Sequence, residues 1–354
     1  MSTPEITPEQ AIANLQFLTR DYMPQATWTV GGALRFDKSL QILNKFLTEM
    51  VALRRFHHVA GAPPCAWSLD WFVQRRPIAF DTYCNALETY ARQDTGVILV
   101  FDNPNLAEQE LADPYGLSLV HELHNRDRIR KNAVCVASDA LAARLRAEIP
   151  SLRIHCHPNR LVMEKGKRTP ALYNKLATQY DRVCLHPADA VKPGIVNAIE
   201  NPARFDVIMN DSCLRTCPVR REHTALLADM RRAPYDTELM RRRSDLIARV
   251  GCQKTTPGEL CQKASCNLTR DEATALYAAG FRSFIIQAQQ FRNEMTLLWD
   301  IFQCMLDHSP EICNKAALIA SSGMAETVKP ARNSPAGCAS SVLQITNKHK
   351  KTST

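Results

Sequence analysis

The sequence lacks most of the signatures that assign a chain at sight. No G-x-G-x-x-G and no G-x-x-x-x-G-K-[ST] follows any apolar run, so dinucleotide and phosphate-loop nucleotide binding have no support. There is no G-x-S-x-G and no H-E-x-x-H, which removes the commonest serine-hydrolase and zinc-protease patterns. No C-x2-C pair occurs, although structural zinc usually takes such pairs. No apolar run approaches the roughly 20 residues of a membrane helix, which predicts no membrane partner. The opening stretch from Met1 to Glu9 has neither the basic start nor the apolar core of a secretory signal. These absences predict a reducing, cytoplasmic setting. There, clustered thiols are metal ligands more often than disulfides.

What is present is a chain of 354 residues, 45% hydrophobic and 23% charged, ordinary for a globular protein with a real core. The formal net charge of +8 permits an anionic partner such as RNA but does not identify one. Apolar, β-favouring runs alternate with helical patterns. Strands are expected over Trp28–Phe36 (with its turn), Arg55–Ala60, Gly96–Pro104, Asn132–Asp139, Ser151–Pro158, Asp181–Pro187, Phe205–Met209 and Phe281–Gln287. Helices are expected over Ser39–Met50, Pro77–Arg92, Pro114–Asn125, Ala140–Glu148, Thr169–Tyr180, Thr269–Ala279 and Asn293–His308. Thr269 reads as a helix cap, and Asp139 at the end of its strand reads as another. Strands that read as apolar throughout and alternate with helices predict a parallel sheet covered on both faces. The fold class expected is therefore α/β, a (β/α) TIM-like barrel with a cysteine-rich insertion and a disordered C-terminal tail. A doubly wound open sheet is the alternative. The expected division is an N-terminal extension over 1–26, the barrel over 27–315 and a basic tail over 316–354.

The stretch Phe205-Asp-Val-Ile-Met-Asn-Asp-Ser-Cys-Leu-Arg-Thr-Cys-Pro-Val-Arg-Arg-Glu-His223 carries the most chemistry. A buried strand runs into turn residues, then into Cys213 and Cys217, then Arg220, Arg221 and His223. Sites in α/β proteins are built past the carboxyl ends of strands. Cys252, Cys261 and Cys266 lie in one later loop-like segment. By contrast, Cys135, Cys156 and Cys184 lie within strands, where cysteine acts as a small buried hydrophobe. Four thiolates hold either an iron–sulfur cluster or zinc. Residue types alone leave metal binding and plain loop thiols both open.

The segment Met209-Asn-Asp-Ser-Cys-Leu-Arg-Thr-Cys-Pro-Val-Arg-Arg-Glu-His223 resembles the N-x-x-C-x3-C-P-x-R-x-x-H type segment of a branch of the U32 peptidase (collagenase-like) family. Val134–His155, Tyr180–Leu185 and Leu276–Ile286 resemble further strand and helix units of that family, so the likeness spans about residues 132–305. It implies a βα barrel carrying a [4Fe–4S] cluster, with Cys213, Cys217, Cys252 and Cys261 as ligands and Cys266 as the alternative. It also implies oxygen-independent hydroxylation, or another modification, of RNA or of a small aromatic or isoprenoid substrate. Arg220, Arg221, His223, Asp102 and His186 are the candidate substrate-binding residues, and no catalytic residue is named. His155, His157 and Asp139 also stand at expected strand ends. Ile285, Ala288 and Gln289 stand where the family's F-K-I-x-G-R element has lysine, glycine and arginine; Arg282 or Arg292 is the candidate replacement cation. The alternatives are a zinc-stabilised barrel that binds a partner protein, a peptidase-like hydrolase, and a metal-free enzyme for a phosphorylated or carboxylated metabolite.

Overall fold

In the computed structural model the described residues are 22–49, 56–69, 78–211, 213–252, 265–288 and 294–305. Eight short strands close into a barrel in chain order: β1 (Thr27–Gly31), β2 (His58–Gly61), β3 (Gly96–Phe101), β4 (Ala133–Val136), β5 (Ile154–Cys156), β6 (Arg182–Cys184), β7 (Phe205–Ile208) and β8 (Ser283–Ile286). Every pairing is parallel, and β8 returns to β1 with Thr29 opposite Ile285. Closure removes both sheet edges, so no strand presents unpaired backbone to a second chain. The barrel expectation holds and the open-sheet alternative falls.

The connecting helices are α1 (Asp37–Glu49), α2 (Phe80–Arg92), α3 (Pro114–Asn125), α4 (Asp139–Glu148), a short α5 (Pro158–Val162), α6 (Pro170–Gln179), a one-turn α7 (Pro193–Val196), α8 (Arg220–Arg232), α9 (Thr237–Val250), α10 (Arg270–Ala278) and α11 (Glu294–Met305). Local chemistry fixes several of their ends. Thr269 and Glu272 form a reciprocal capping box at α10, and Gly280 follows the helix at φ +98°. Thr169 caps α6 ahead of Pro170, a residue suited to a first helical turn. At α4 the cap is Ser138, which accepts from the Leu141 N–H, and not Asp139. Asp139 is the first helical residue and instead accepts from Arg160 and the Tyr180 hydroxyl.

The stretch after β7, expected as an irregular cysteine-rich insertion, contains two well-formed helices, α8 and α9. Asp236 caps α9, and Gly251 ends it in the left-handed conformation. Their apolar contact is narrow, built on Leu226, Met230 and Leu246. Their many arginines conceal the helical spacing in a simple apolar pattern. The tail over 316–354, residues 1–21 and Cys261 lie outside the described residues.

Two cores result. Outward-facing strand residues such as Val59, Leu99, Val134, Val183, Val207 and Phe284 pack under the helices in one large cluster. Phe205 lies there fully buried, edge-on to Tyr173 and Phe281. Truncating such a phenylalanine costs about 3–5 kcal/mol. Inside the barrel a smaller cluster joins Ala60, Ile98, Ala133 and Cys135. Val100, Cys184, Ile208 and Ile285 also face inward, beside a polar group. His155 and Asp206 are buried with Nδ1 and Oδ2 3.7 Å apart, and Arg182 Nε donates to Asp206 Oδ1 at 2.7 Å. The strands are thus uniformly apolar on the helix face and mixed on the inner face. His155, expected at a strand end, is the middle residue of β5.

Candidate functional site at the carboxyl mouth of the barrel

The strands deliver their carboxyl ends to one mouth, where a cavity of about 90 Å³ opens. Its floor is the barrel interior, with Ile98, Cys135, His155, Cys184 and Asp206. Its rim includes Arg35, His157 and Gln287. The chain after β1 folds tightly over β2: Ala33 N–H donates to the Ala60 carbonyl at 3.0 Å. A Cβ on Gly61 would sit 2.2 Å from the Ala33 oxygen, so only glycine fits at that crossing. On the opposite side Asn210 continues the β7–β8 pairing with its side chain. Its Oδ1 accepts from Gln287 N at 2.7 Å, and its Nδ2 donates to Gln287 O and to Asp300 Oδ2. Burial pushes Asp300 up to about 6, against the hydrogen bond from Asn210.

Beside this mouth, Arg220 begins α8. Its Nη2 donates to Asp211 Oδ2 at 2.6 Å, and Nη1 points at Cys266 Sγ, 3.7 Å away. Burial works against the guanidinium charge, but Asp211 and the Cys213 thiol outweigh it and leave its pKa raised. The histidines that follow β5 and β6 feel burial first and the same cation second. Burial, and then Arg220, depresses His157 to about 3. Burial, followed by Arg220 and Arg168, depresses His186 to about 2. Both are neutral at physiological pH. In each, Nδ1 accepts a backbone N–H two residues on, from Asn159 and from Ala188, both at 3.2 Å. An accepting Nδ1 leaves the ring proton on Nε2, so two His-Pro turns present the same tautomer side by side.

The thiols gather in part. Cys266 N–H donates to the Cys213 carbonyl at 2.7 Å, and Leu214 bridges Ser265, so the two cysteine segments run together. Cys217 turns back on Leu214 through a 3.2 Å backbone bond and lies close enough to Cys213 to influence its ionisation. Burial raises Cys213 to about 12 and Cys266 to about 11, in both cases against the pull of Arg220. Such thiols are protonated at neutral pH and are poor nucleophiles as they stand. Cys252 follows Gly251 at the end of α9, with Sγ 4.0 Å from the Ile247 carbonyl. Among the described residues no three His, Cys, Asp or Glu side chains come together at metal-binding distance. The donors do suit a soft metal or a cluster in kind: three thiols on two clamped segments, with a guanidinium adjacent to offset thiolate charge.

Other expected site residues take different places. Arg221 is exposed. His223 is half-buried and faces away from hydrogen-bond partners at Nε2; burial, then Arg243 and Arg220, lower its pKa. Asp102 ends β3 and accepts from Leu69 N at 2.7 Å, which fixes the loop after β2. Arg282 immediately precedes β8 and so lies at the opposite end of the barrel from the cysteines, unable to replace a cation at this mouth. Ile285 faces the cavity. Arg292 and Gln289 lie outside the described residues. Sequence reasoning passed over Asp211 and Asn210 as turn residues; their position immediately after an apolar strand was the available signal.

No family profile matches this sequence, and no curated protein matches it. Among solved structures it is similar to the U32 peptidase Mk0906, at 14% identity and a TM-score of 0.45, over 75% of this chain and 92% of that one. No described helix is long and apolar enough to cross a membrane.

Proposed function

We propose that this chain is an iron–sulfur barrel protein that carries out oxygen-independent modification, such as hydroxylation, of RNA or of a small aromatic or isoprenoid molecule. Cys213, Cys217 and Cys266 would supply three thiolates of a [4Fe–4S] cluster, and Cys261 or Cys252 the fourth. A bound cluster would supply electron transfer at the edge of the mouth. Arg220 would balance its thiolate charge, with Asp211 fixing the guanidinium. The observation that carries this reading is the pairing of the Cys213 and Cys266 segments, 53 positions apart in sequence, by direct backbone hydrogen bonds. The cavity's small volume and its apolar walls, Ala60, Val100 and Ile208 among them, suit one end of a larger molecule. Neutral His157 adds a ring N–H there for hydrogen bonding.

The test is anaerobic purification followed by iron and acid-labile sulfide assay and electron paramagnetic resonance of the reduced protein. Near four irons and four sulfides per chain are expected. A colourless protein with neither sinks the reading. Stoichiometric zinc, with unfolding on chelation, would assign the thiols to a structural site and favour a partner-binding barrel instead.

A further inference from the structure

The opposite, amino end of the barrel holds a second cavity of about 350 Å³, within the range of small-molecule sites. Its charge is lopsided. Lys131, Arg153, Arg182 and Arg282 line it, against the single carboxylate of Asp181. Asp181 is partly occupied, since its Oδ2 accepts from Ile154 N at 2.7 Å. Three of the four cations are tied down. Lys131 pairs with Asp94 at 2.8 Å, Arg182 with Asp206 at 2.7 Å, and Arg282 donates to the Tyr277 and Phe281 carbonyls. Arg153 makes no side-chain hydrogen bond or ion pair among the described residues, although it is half-buried on the cavity wall.

Imidazoles complete the wall. His58 Nε2 lies 2.9 Å from the Lys131 carbonyl, and the His57 ring meets the His58 ring edge-on at 4.4 Å. The facing strand yields space for His58. A Cβ on Gly96 would lie 2.5 Å from its ring. His155 borders this cavity and the carboxyl-mouth cavity alike. An unpaired arginine among three other cations is unfavourable for the fold alone, and it is what a doubly charged anion requires.

We propose that the amino-end cavity binds a phosphorylated small molecule, anchored by Arg153 and flanked by Lys131, Arg182 and Arg282. A barrel's chemistry is done at its carboxyl mouth, so this is a binding site and not a second reaction centre. The site stands independently of the iron–sulfur reading. Ligand entry also has a proton signature. His57 is held down by burial, then by Lys131, Arg182 and Arg153, against Asp94. His155 is held down to about 4 by burial and by Arg182 and Arg153, against Asp206 and Asp181. His58 is held down by burial and by His57 and His155, against the Lys131 carbonyl and Asp206. An anion among them raises all three, so these histidines take up protons on binding.

The experiment is calorimetric titration of the full chain with inorganic pyrophosphate at pH 6.5, in two buffers of different ionisation enthalpy, with acetate and chloride as controls. Saturable binding, with a heat that depends on the buffer because histidines and pyrophosphate exchange protons, is expected, weakened at least about tenfold in Arg153→Ala and unchanged in Arg144→Ala on the outer surface. Without ligand, Arg153→Ala should melt no lower than the parent protein, because it relieves repulsion; a lower melting temperature together with unaltered binding would mark Arg153 as structural and overturn the proposal. Absence of saturable binding overturns it too. So does binding lost in Arg220→Lys but kept in Arg153→Ala, which would move the anion to the other mouth. Competition by a short single-stranded RNA that Arg153→Ala abolishes would assign the cavity to backbone phosphates, against a small molecule.

Discussion

Cys266 donates its backbone N–H to the carbonyl oxygen of Cys213 at 2.7 Å, tying the segment that enters α10 to the one that leaves β7. Cys252 has a different setting, at the end of α9 beside the Ile247 carbonyl. If the thiols hold a cluster, Cys213→Ser and Cys266→Ser should each remove most of the iron, and Cys252→Ser should remove less. Iron and sulfide per chain, measured after anaerobic purification, check this. Full iron in Cys266→Ser would return the ligand set to Cys213, Cys217, Cys252 and Cys261.

The Arg220–Asp211 pair is largely sequestered, with side chains 17% and 12% exposed. Deleting one partner strands the other charge in a poorly solvated place, which costs about 3 kcal/mol. Arg220→Ala should therefore lower the unfolding free energy from urea titration at pH 7 by that amount, and adding Asp211→Ala should recover part of it. A purely additive double variant would mean that the two groups are not coupled.

Acid should weaken the fold through its buried imidazoles, with one carboxylate, Asp300, acting against them. His155, His157 and His186 are depressed to about 4, 3 and 2, while in the unfolded chain they titrate near 6.5. The unfolded state therefore binds more protons below about pH 6.5. Stability is fully present above that pH and falls as pH drops toward the folded values. Each histidine contributes a slope approaching about 1.4 kcal/mol per pH unit. Asp300, raised to about 6, acts in the opposite sense, since the folded state holds its proton until about pH 6. Urea denaturation at pH 6 and pH 5 should show declining stability. The decline should be shallower in His157→Asn, which keeps an acceptor for the Asn159 N–H, and steeper in Asp300→Asn. A flat profile over this range would contradict neutral, buried imidazoles.

The order of strands and helices was legible in the sequence because each element carries its own local code. Gly96 to Phe101 is an unbroken β-favouring apolar run, and Thr269 with Glu272 starts α10 by chemistry confined to four residues. The cysteines and Arg220 could be flagged because they follow a strand whose carboxyl end must open on a mouth. Other features were not legible. A two-residue period says that a strand has two faces, but not which face meets helices and which lines the barrel. The polar interior of His155, Asp206 and Arg182 therefore emerged only on closure. The arginine-rich α8 and α9 were hidden because their buried stripe is so narrow. The sequence by itself determined the elements and their succession, through propensities and caps acting over a few residues. The tertiary structure alone decided that Cys266 meets Cys213, that Arg282 belongs to the far mouth, and that Arg153 is left facing three other cations. Those relations join residues distant in the chain, and only the closing of β8 onto β1 gives them a distance.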